Sequence, residues 1–335
     1  MNEDDKKLQE TFAFKQGEIK RLLREARFKT IIRTVAISAL GFVLLSGVIL
    51  SANAMLLNEI ANSRHIDENL LNVVAAPNTY ISHHLANDGF LVGQMEYITY
   101  RIVGNRPVYD GTQKIKYSIV PVVQNLYGTG KSQPIQIENQ SDGSGLGFCF
   151  YSKVGNRELL FYHPELNYPT YRNDLNLLDD IGADKYLELA LSFDRSYTLE
   201  EVQGMIPGEV KIAWYWVDTF SRENLDKMQA IAGSGPRIFR SSQVYGMEAI
   251  TGTGEIIDEP WRRFITALEI GRTKKNFYRS IFQDIFAVLS NGKEEITKDD
   301  IRVIGAVVTG DTAAIRLLPE DCVKAATLGI VIDKY

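Results

Sequence analysis

The stretch TVAISALGFVLLSGVILSANAMLL, residues 34–57, decides the architecture of this chain. It contains no charged residue and no proline. A helix rises about 1.5 Å per residue, so roughly 20 apolar residues cross a hydrocarbon core of about 30 Å. The stretch is long enough to do so, and the sequence has no second run like it. It predicts a transmembrane helix between an N-terminal tail, residues 1–33, and a long C-terminal segment.

The charges that flank this run predict its orientation. Lys and Arg close to a span tend to stay in the cytoplasm. Seven basic residues lie in the twenty positions before the run, and Arg64 is the one basic residue in the twenty positions after it. We therefore expect a single-pass protein of the plasma membrane, with a cytoplasmic N-terminus and an extracellular C-terminal domain.

A cleaved signal peptide is the alternative interpretation of the run. Ala52-Asn53-Ala54 has the A-x-A form of a cleavage site. The preceding segment is longer than thirty residues and partly acidic, however, which is unusual for a cleaved signal. The apolar run also continues beyond the candidate site through Met55, Leu56 and Leu57. Both features favour an anchor.

The distribution of charge limits the possible ligands of the C-terminal segment. The chain has a net charge of −5, of which residues 1–33 contribute +3 and the remainder −8. Phosphate binding needs a basic face, so we expect no direct contact with nucleic acid. Two cysteines, Cys149 and Cys322, fit either one disulfide or two buried thiols. No histidine pair has the spacing of a helical zinc motif, and we expect no metal or other cofactor.

Apolar residues recur at helical spacing in the tail, and we expect a helix over residues 7–30. The residues that could contact a partner are Leu8, Phe12, Ile19, Leu22 and Leu23. Lys, Arg and Glu separate them. The pattern is typical of a helix lying on the inner leaflet, and equally of a helix docking into a groove of a cytosolic protein.

Residues 58–170 are predicted to form a β-rich region. Its first ten residues could continue the helix, and residues 70–74, LLNVV, have a strand-like composition. Residues 90–103 and 114–124 are rich in Val, Ile and Tyr and predict two strands. Gly104-Asn105 and Asp110-Gly111 supply turn signals between these strands.

Residues 184–335 are predicted to form an α+β domain. Residues 186–193, 198–206 and 210–217 have the order strand, helix, strand, and residues 301–309, 311–318 and 326–333 repeat it. Between them, residues 260–289 predict a helical stretch with a break near Gly271. The fold class is therefore an extracellular α+β domain with two βαβ units, of the split βαβ or ferredoxin-like kind, preceded by a β-rich region.

The sequence contains no motif for an enzyme. It has no G-x-S-x-G elbow, no H-E-x-x-H pair and no Walker loop. Trp214 and Trp216 would lie on one face of a strand and Tyr215 on the other. The two tryptophans are interpreted either as a core strand under a helix layer or as an aromatic platform that senses a ligand.

Three segments, residues 189–219, 301–318 and 323–335, resemble the C-terminal domain of the sigma factor regulator family. The segments read LALSFDRSYTLEEVQGMIPGEVKIAWYWVDT, IRVIGAVVTGDTAAIRLL and VKAATLGIVIDKY. The span and the strand-rich sequence after it, roughly residues 20–110, look like the N-terminal module of that family. Its members are membrane-anchored anti-sigma factors of Gram-positive bacteria, which hold an extracytoplasmic-function sigma factor at the inner face of the membrane.

This resemblance implies a negative regulator of transcription with an extracellular sensing domain. Its partner would be an extracytoplasmic-function sigma factor, alone or with a small membrane co-regulator. The alternative is an anchored extracellular binding or structural module without a transcriptional role.

Overall fold

The computed structural model describes residues 3–120, 135–138, 148–230 and 237–335. Within them the chain divides into two compact units, residues 1–58 and residues 59–335. The first unit is helical and belongs to α1 (Glu3–Ala75), which also begins the second unit. In the described part of the chain, α1 is the one helix that is long and apolar enough to cross a membrane, and its most apolar window is fully exposed.

The helix extends further than the sequence predicts. Residues 70–74, which have the composition of a strand, are the last full turn of α1, and the prediction of a strand there is wrong. Leu71 and Val74 lie three residues apart on one helix face, and both belong to the core of the second unit. Pro77 follows the helix end, where proline commonly stands because it cannot continue a helix.

Among the described residues, the second unit contains seven α-helical segments, counting the end of α1, three short 3₁₀ helices and twelve strands. The further helices are α2 (Leu178–Ile181), α3 (Leu199–Met205), α4 (Arg222–Gln229), α5 (Pro260–Thr273), α6 (Arg279–Ser290) and α7 (Thr312–Ile315). The strands are β1 (Tyr80–Asp88), β2 (Val92–Val103), β3 (Arg106–Ser118), β4 (Ile135–Glu138), β5 (Phe148–Tyr151), β6 (Leu160–Phe161), β7 (Lys185–Tyr197), β8 (Lys211–Val217), β9 (Phe239–Arg240), β10 (Gly246–Glu248), β11 (Val303–Asp311) and β12 (Val323–Asp333).

A three-stranded antiparallel sheet of β1, β2 and β3 follows α1. The predicted turn signal Gly104-Asn105 joins β2 to β3, and both residues have positive φ, +54° and +68°. That geometry is typical of a two-residue hairpin turn. A side chain at Gly104 would collide with the ring of Tyr186, so the turn packs closely on β7. The second turn signal, Asp110-Gly111, does not end a strand but forms a bulge inside β3 opposite β2.

The C-terminal region forms a five-stranded sheet in the order β10-β8-β11-β7-β12, with every neighbouring pair antiparallel. β7 and β8 both pair with β11, which lies between them, and therefore run in the same direction. The predicted α+β class is confirmed. The predicted helix after β7 is α3, capped by Thr198 and Glu201, whose side chains each accept a hydrogen bond from the other's backbone N–H.

Both faces of this sheet are buried. One face carries the helices α3, α5, α6 and α7 together with Val74 of α1. The other face packs on residues 159–168, on β9 and on Tyr80 and Ile102 of the three-stranded sheet. The three-stranded sheet therefore contributes to a core that it shares with one face of the five-stranded sheet, within residues 59–335.

Candidate functional site

The predicted partner-binding residues lie on one face of α1. At about 100° per residue, Leu8, Phe12, Ile19, Leu22 and Leu23 fall within about 100° of arc. The side chains of Ile19, Leu22 and Leu23 are more than half exposed. The side chains of Leu8 and Phe12 lie outside the described residues. The backbone thus presents these positions as a stripe, and the three described side chains are open to solvent.

Trp214 and Trp216 occupy a different environment from the one that a ligand platform needs. They share one face of β8, as the alternation predicts, but both side chains are 0 % exposed. The ring of Trp216 contacts Phe161 edge-on, with centroids 5.3 Å apart. Rings enclosed in this way present no surface to a ligand. The helices α3, α5, α6 and α7 cover the opposite face, where Tyr215 lies, whereas α4 contributes Leu225 to the cluster on the tryptophan face.

The C-terminal end of α1 is held by the connection between α5 and α6. The Phe277 backbone N–H donates to Asp67 Oδ2 at 2.9 Å, and the Tyr278 hydroxyl donates to Glu68 Oε1. The Arg64 guanidinium carbon lies 3.5 Å above the centroid of the Phe277 ring. Asp67 and Glu68 are buried, and burial raises the pKa of Glu68 above its ordinary value while the Tyr278 hydrogen bond opposes this rise.

A second contact joins α1 to the three-stranded sheet through two histidines. The rings of His65 on α1 and His84 on β1 have centroids 4.0 Å apart. Asn69 Nδ2 lies 3.0 Å from His65 Nε2, and Tyr97 Oη lies 3.4 Å from His65 Nδ1. Burial and then the charge of His84 lower the pKa of His65.

A buried charge network joins the three-stranded sheet to the five-stranded sheet. Arg101 on β2 donates to Glu188 on β7 at 3.0 Å and to Asp110 at 2.9 Å. The bulge in β3 turns Asp110 toward Arg101. Asn78, in the left-handed conformation at φ +46°, donates to Glu188 Oε1 at 2.6 Å. Burial opposes the charge of Arg101, but attraction to Glu188 and Asp110 outweighs it, so the pKa of Arg101 is raised.

These contacts join α1 and the three-stranded sheet to the rest of the second unit. Within the described residues, no group of three His, Cys, Asp or Glu side chains is placed to hold a metal ion. Cys322 is a half-buried free thiol whose Sγ lies 3.7 Å from the Pro319 carbonyl oxygen, and the side chain of Cys149 lies outside the described residues.

The contact of residues 64–68 was missed by sequence reasoning, which treated this segment as a polar extension of the helix. Glu68, Leu71 and Val74 follow one another at helical spacing, but only the structure shows that Glu68 is buried on the face where Leu71 and Val74 meet the core. Acidic residues on the buried face of a helix point to specific partners, since an unpaired carboxylate is costly to bury.

Two family models match the chain. The sigma factor regulator N-terminal model matches residues 20–108, and the sigma factor regulator C-terminal model matches residues 178–330. Together they cover well over half of the sequence. They include the apolar helix, the histidine contact, the buried pair of Arg101 and Glu188, and the whole five-stranded sheet except the last residues of β12.

A curated relative extends this match. The probable anti-sigma-M factor YhdL of Bacillus subtilis strain 168 is 25% identical over 225 residues, which are 62% of this chain and 61% of the relative. The match thus spans about three fifths of that protein. No solved structure matches the chain significantly. From the two family models and this relative, the chain belongs to the sigma factor regulator family.

Proposed function

We propose that this protein is a membrane-anchored anti-sigma factor that sequesters an extracytoplasmic-function sigma factor. The observation that carries the proposal is the exposed apolar stripe of Ile19, Leu22 and Leu23. The stripe becomes buried only if a partner covers it. The family assignment and the similarity to a probable anti-sigma-M factor support a sigma factor as that partner, alone or with a small membrane co-regulator.

The orientation is part of the proposal. The excess of basic residues before the apolar run supports a cytoplasmic tail and an extracellular unit of residues 59–335. The extracellular unit would sense an envelope condition and transmit it through α1. A ligand can relieve sequestration only if it binds the released and sequestering states with different affinities. The two contacts of residues 64–68 are where such a difference would reach the helix.

We also infer that the C-terminal unit follows the split βαβ, ferredoxin-like plan. The order β8-β11-β7-β12 supports it, because each parallel pair, β7 with β8 and β11 with β12, has an antiparallel strand between its members. The short helices α3 and α7 provide the two connections, and both pack on the same face.

A reporter of the cognate regulon in cells tests the function with two matched variants of the full chain. Leu22→Asp places a charge on the apolar stripe, and we expect it to release the sigma factor and induce the reporter. Arg24→Gln, on the opposite helix face, lowers the net charge by the same amount and should leave the reporter unchanged. Equal behaviour of the two variants would reject docking through the stripe.

The alternative, an extracellular module without a transcriptional role, makes a different prediction. Deletion of the gene should then leave every sigma-dependent regulon at its basal level. Under the anti-sigma proposal, the deletion induces one regulon, and that regulon identifies the sigma factor. The same experiment therefore separates the two functions without depending on any single residue.

A further inference from the structure

The hairpin of β1 and β2 ends in an exposed apolar tip. Phe90 at the tip is 59 % exposed, and Leu85 on β1 is 53 % exposed. Val120, just after β3, is 40 % exposed. The Ile119 N–H donates to the Leu91 carbonyl at 3.0 Å, which brings the end of β3 to the same tip. Phe90 and Val120 thus expose apolar surface at the same end of the sheet, where another phase or molecule can cover it.

Two contacts define the direction in which this hairpin runs. At the base of β1, Asn72 Nδ2 of α1 donates to the Thr79 carbonyl at 3.0 Å. Further along β1, the ring of His84 lies 4.0 Å from that of His65. Increasing residue numbers on β1 thus meet decreasing residue numbers on α1. The strand therefore runs back along the helix, toward the helix's N-terminal end.

The lengths of the two elements place the tip. From His84 to Asp88 the strand advances about 13 Å at about 3.3 Å per residue. From His65 back to Glu59 the helix covers about 9 Å at 1.5 Å per residue. On the course set by these two contacts, the tip, which follows Asp88, reaches about the level of Glu59. In the sequence, Glu59 comes two residues after the apolar run.

We propose that this tip enters the interfacial layer of the membrane that α1 spans, with Phe90 as the inserted side chain. The polar layer on each side of a bilayer is about 5–7 Å thick, and aromatic side chains concentrate there. The acidic group nearest the tip, Asp88, accepts a hydrogen bond from the Tyr117 hydroxyl, which compensates part of its desolvation. The bilayer is thus a second attachment point of the outer unit, besides α1 itself.

This contact would make the outer unit sensitive to the lipid surface. The tip is joined through β1 to His84, whose ring contacts His65, so a change in how the tip sits at the membrane reaches α1 at that residue. The inference rests on α1 spanning a membrane. It does not depend on which side of the membrane the unit occupies.

Tryptophan quenching tests the inference in the full-length protein, reconstituted at one copy per bilayer disc. The discs contain lipids brominated on the acyl chain near the headgroup. Phe90→Trp is compared with Ile256→Trp, an exposed residue a few positions after Gly252, whose carbonyl accepts from the Tyr100 hydroxyl at the opposite end of the hairpin. The wild-type protein gives the background fluorescence of Trp214, Trp216 and Trp261. Phe42→Trp, within the apolar run, reports that the helix spans.

We expect the Phe90→Trp signal to be quenched at least about twofold more than that of Ile256→Trp, because only a side chain in the interfacial layer meets the brominated carbons. As a measurement that needs no variant, hydrogen exchange of residues 88–92 in the wild-type protein should be slower in discs than in detergent. Quenching of Phe42→Trp without quenching of Phe90→Trp would overturn the inference and leave the span intact. Protection of the tip that requires two copies in one disc would also overturn it, because the cover would then be a second copy.

Discussion

Arg101 on β2 and Glu188 on β7 form an ion pair that solvent barely reaches. Arg101 Nη1 lies 3.0 Å from Glu188 Oε2, and the two side chains are 5% and 0% exposed. The two residues fall in the segments matched by different family models. The pair therefore joins two modules that sequence comparison separates, and it does so inside the core that they share.

Removing Glu188 tests how much this ion pair contributes to the free energy of unfolding. Glu188→Ala leaves Arg101 with Asp110 alone in a buried site, and breaking a buried pair in this way costs about 3–5 kcal/mol. We expect the free energy of unfolding of the full-length protein in detergent to fall by that amount. The control is Asp179→Ala, which breaks the exposed pair with Arg316 and should cost less than about 1 kcal/mol. Similar losses in both variants would show that the buried pair has no special role.

The β2–β3 hairpin shows what the sequence can and cannot predict. The turn at Gly104-Asn105 was predictable, because positive φ at two successive positions restricts the residue types. β1 was not predicted, because seven of its nine residues are exposed and its side chains do not alternate in polarity. It is held by backbone pairing to β2 and by its contact with α1, and neither leaves a periodic signal in the sequence.

Only part of the candidate site could be predicted from the sequence, namely the part that leaves a local pattern in the chain. The stripe of Ile19, Leu22 and Leu23 could be found from helical spacing, since exposed apolar residues on a helix form a local pattern. The contacts of His65, Asp67 and Glu68 join residues far apart in the chain, such as Glu68 and Tyr278. Only the fold brings these residues together, so no local pattern identifies the pairs.

A truncation of Trp216 separates a core role from a ligand-platform role. The ring is enclosed and packs on Phe161, so Trp216→Ala should lower the free energy of unfolding by about 3–5 kcal/mol. Ile256→Ala, at a position 71% exposed, should change it by less than about 0.5 kcal/mol. Chemical denaturation of the full-length protein in detergent measures both. A platform residue would instead tolerate truncation without loss of stability, and that result would reopen the sensor interpretation.

The histidine contact predicts a loss of stability in acid. The folded pKa of His65 is lowered below its ordinary value of 6.5, so the folded protein binds fewer protons there than the unfolded chain. The contribution of His65 is therefore fully present above pH 6.5 and is lost as the pH falls through the folded pKa. We expect the melting temperature of the wild-type protein to fall more between pH 7.5 and about pH 5.5 than that of His65→Asn.

His83→Gln is the matched control for this pH dependence, because His83 is exposed next to His84 but does not face His65. This variant should show the same dependence of melting temperature on pH as the wild type. Glu248 acts with the opposite sign: burial raises its pKa to about 7, so its contribution is lost as the pH rises through that value. The contribution of His65 is therefore measured as the difference in melting temperature between the wild type and His65→Asn at each pH. Identical profiles for the wild type and His65→Asn would contradict it.

The hydrogen bond from Tyr278 to Glu68 predicts how strongly the α5–α6 connection holds the C-terminal end of α1. Tyr278→Phe removes the donor and leaves a buried carboxyl oxygen without it, at a cost of about 1–3 kcal/mol. A loss of this size corresponds to a rise of about 5- to 150-fold in the population of the locally opened state. We expect hydrogen exchange of residues 64–75 to accelerate within that range, while β7 and β11 exchange as in the wild type. Tyr335→Phe removes the same hydroxyl at a position that is 97% exposed and should change nothing. If acceleration spread equally over the five-stranded sheet, Tyr278 would support the whole fold, and the α5–α6 connection would not be a separate hold on the helix.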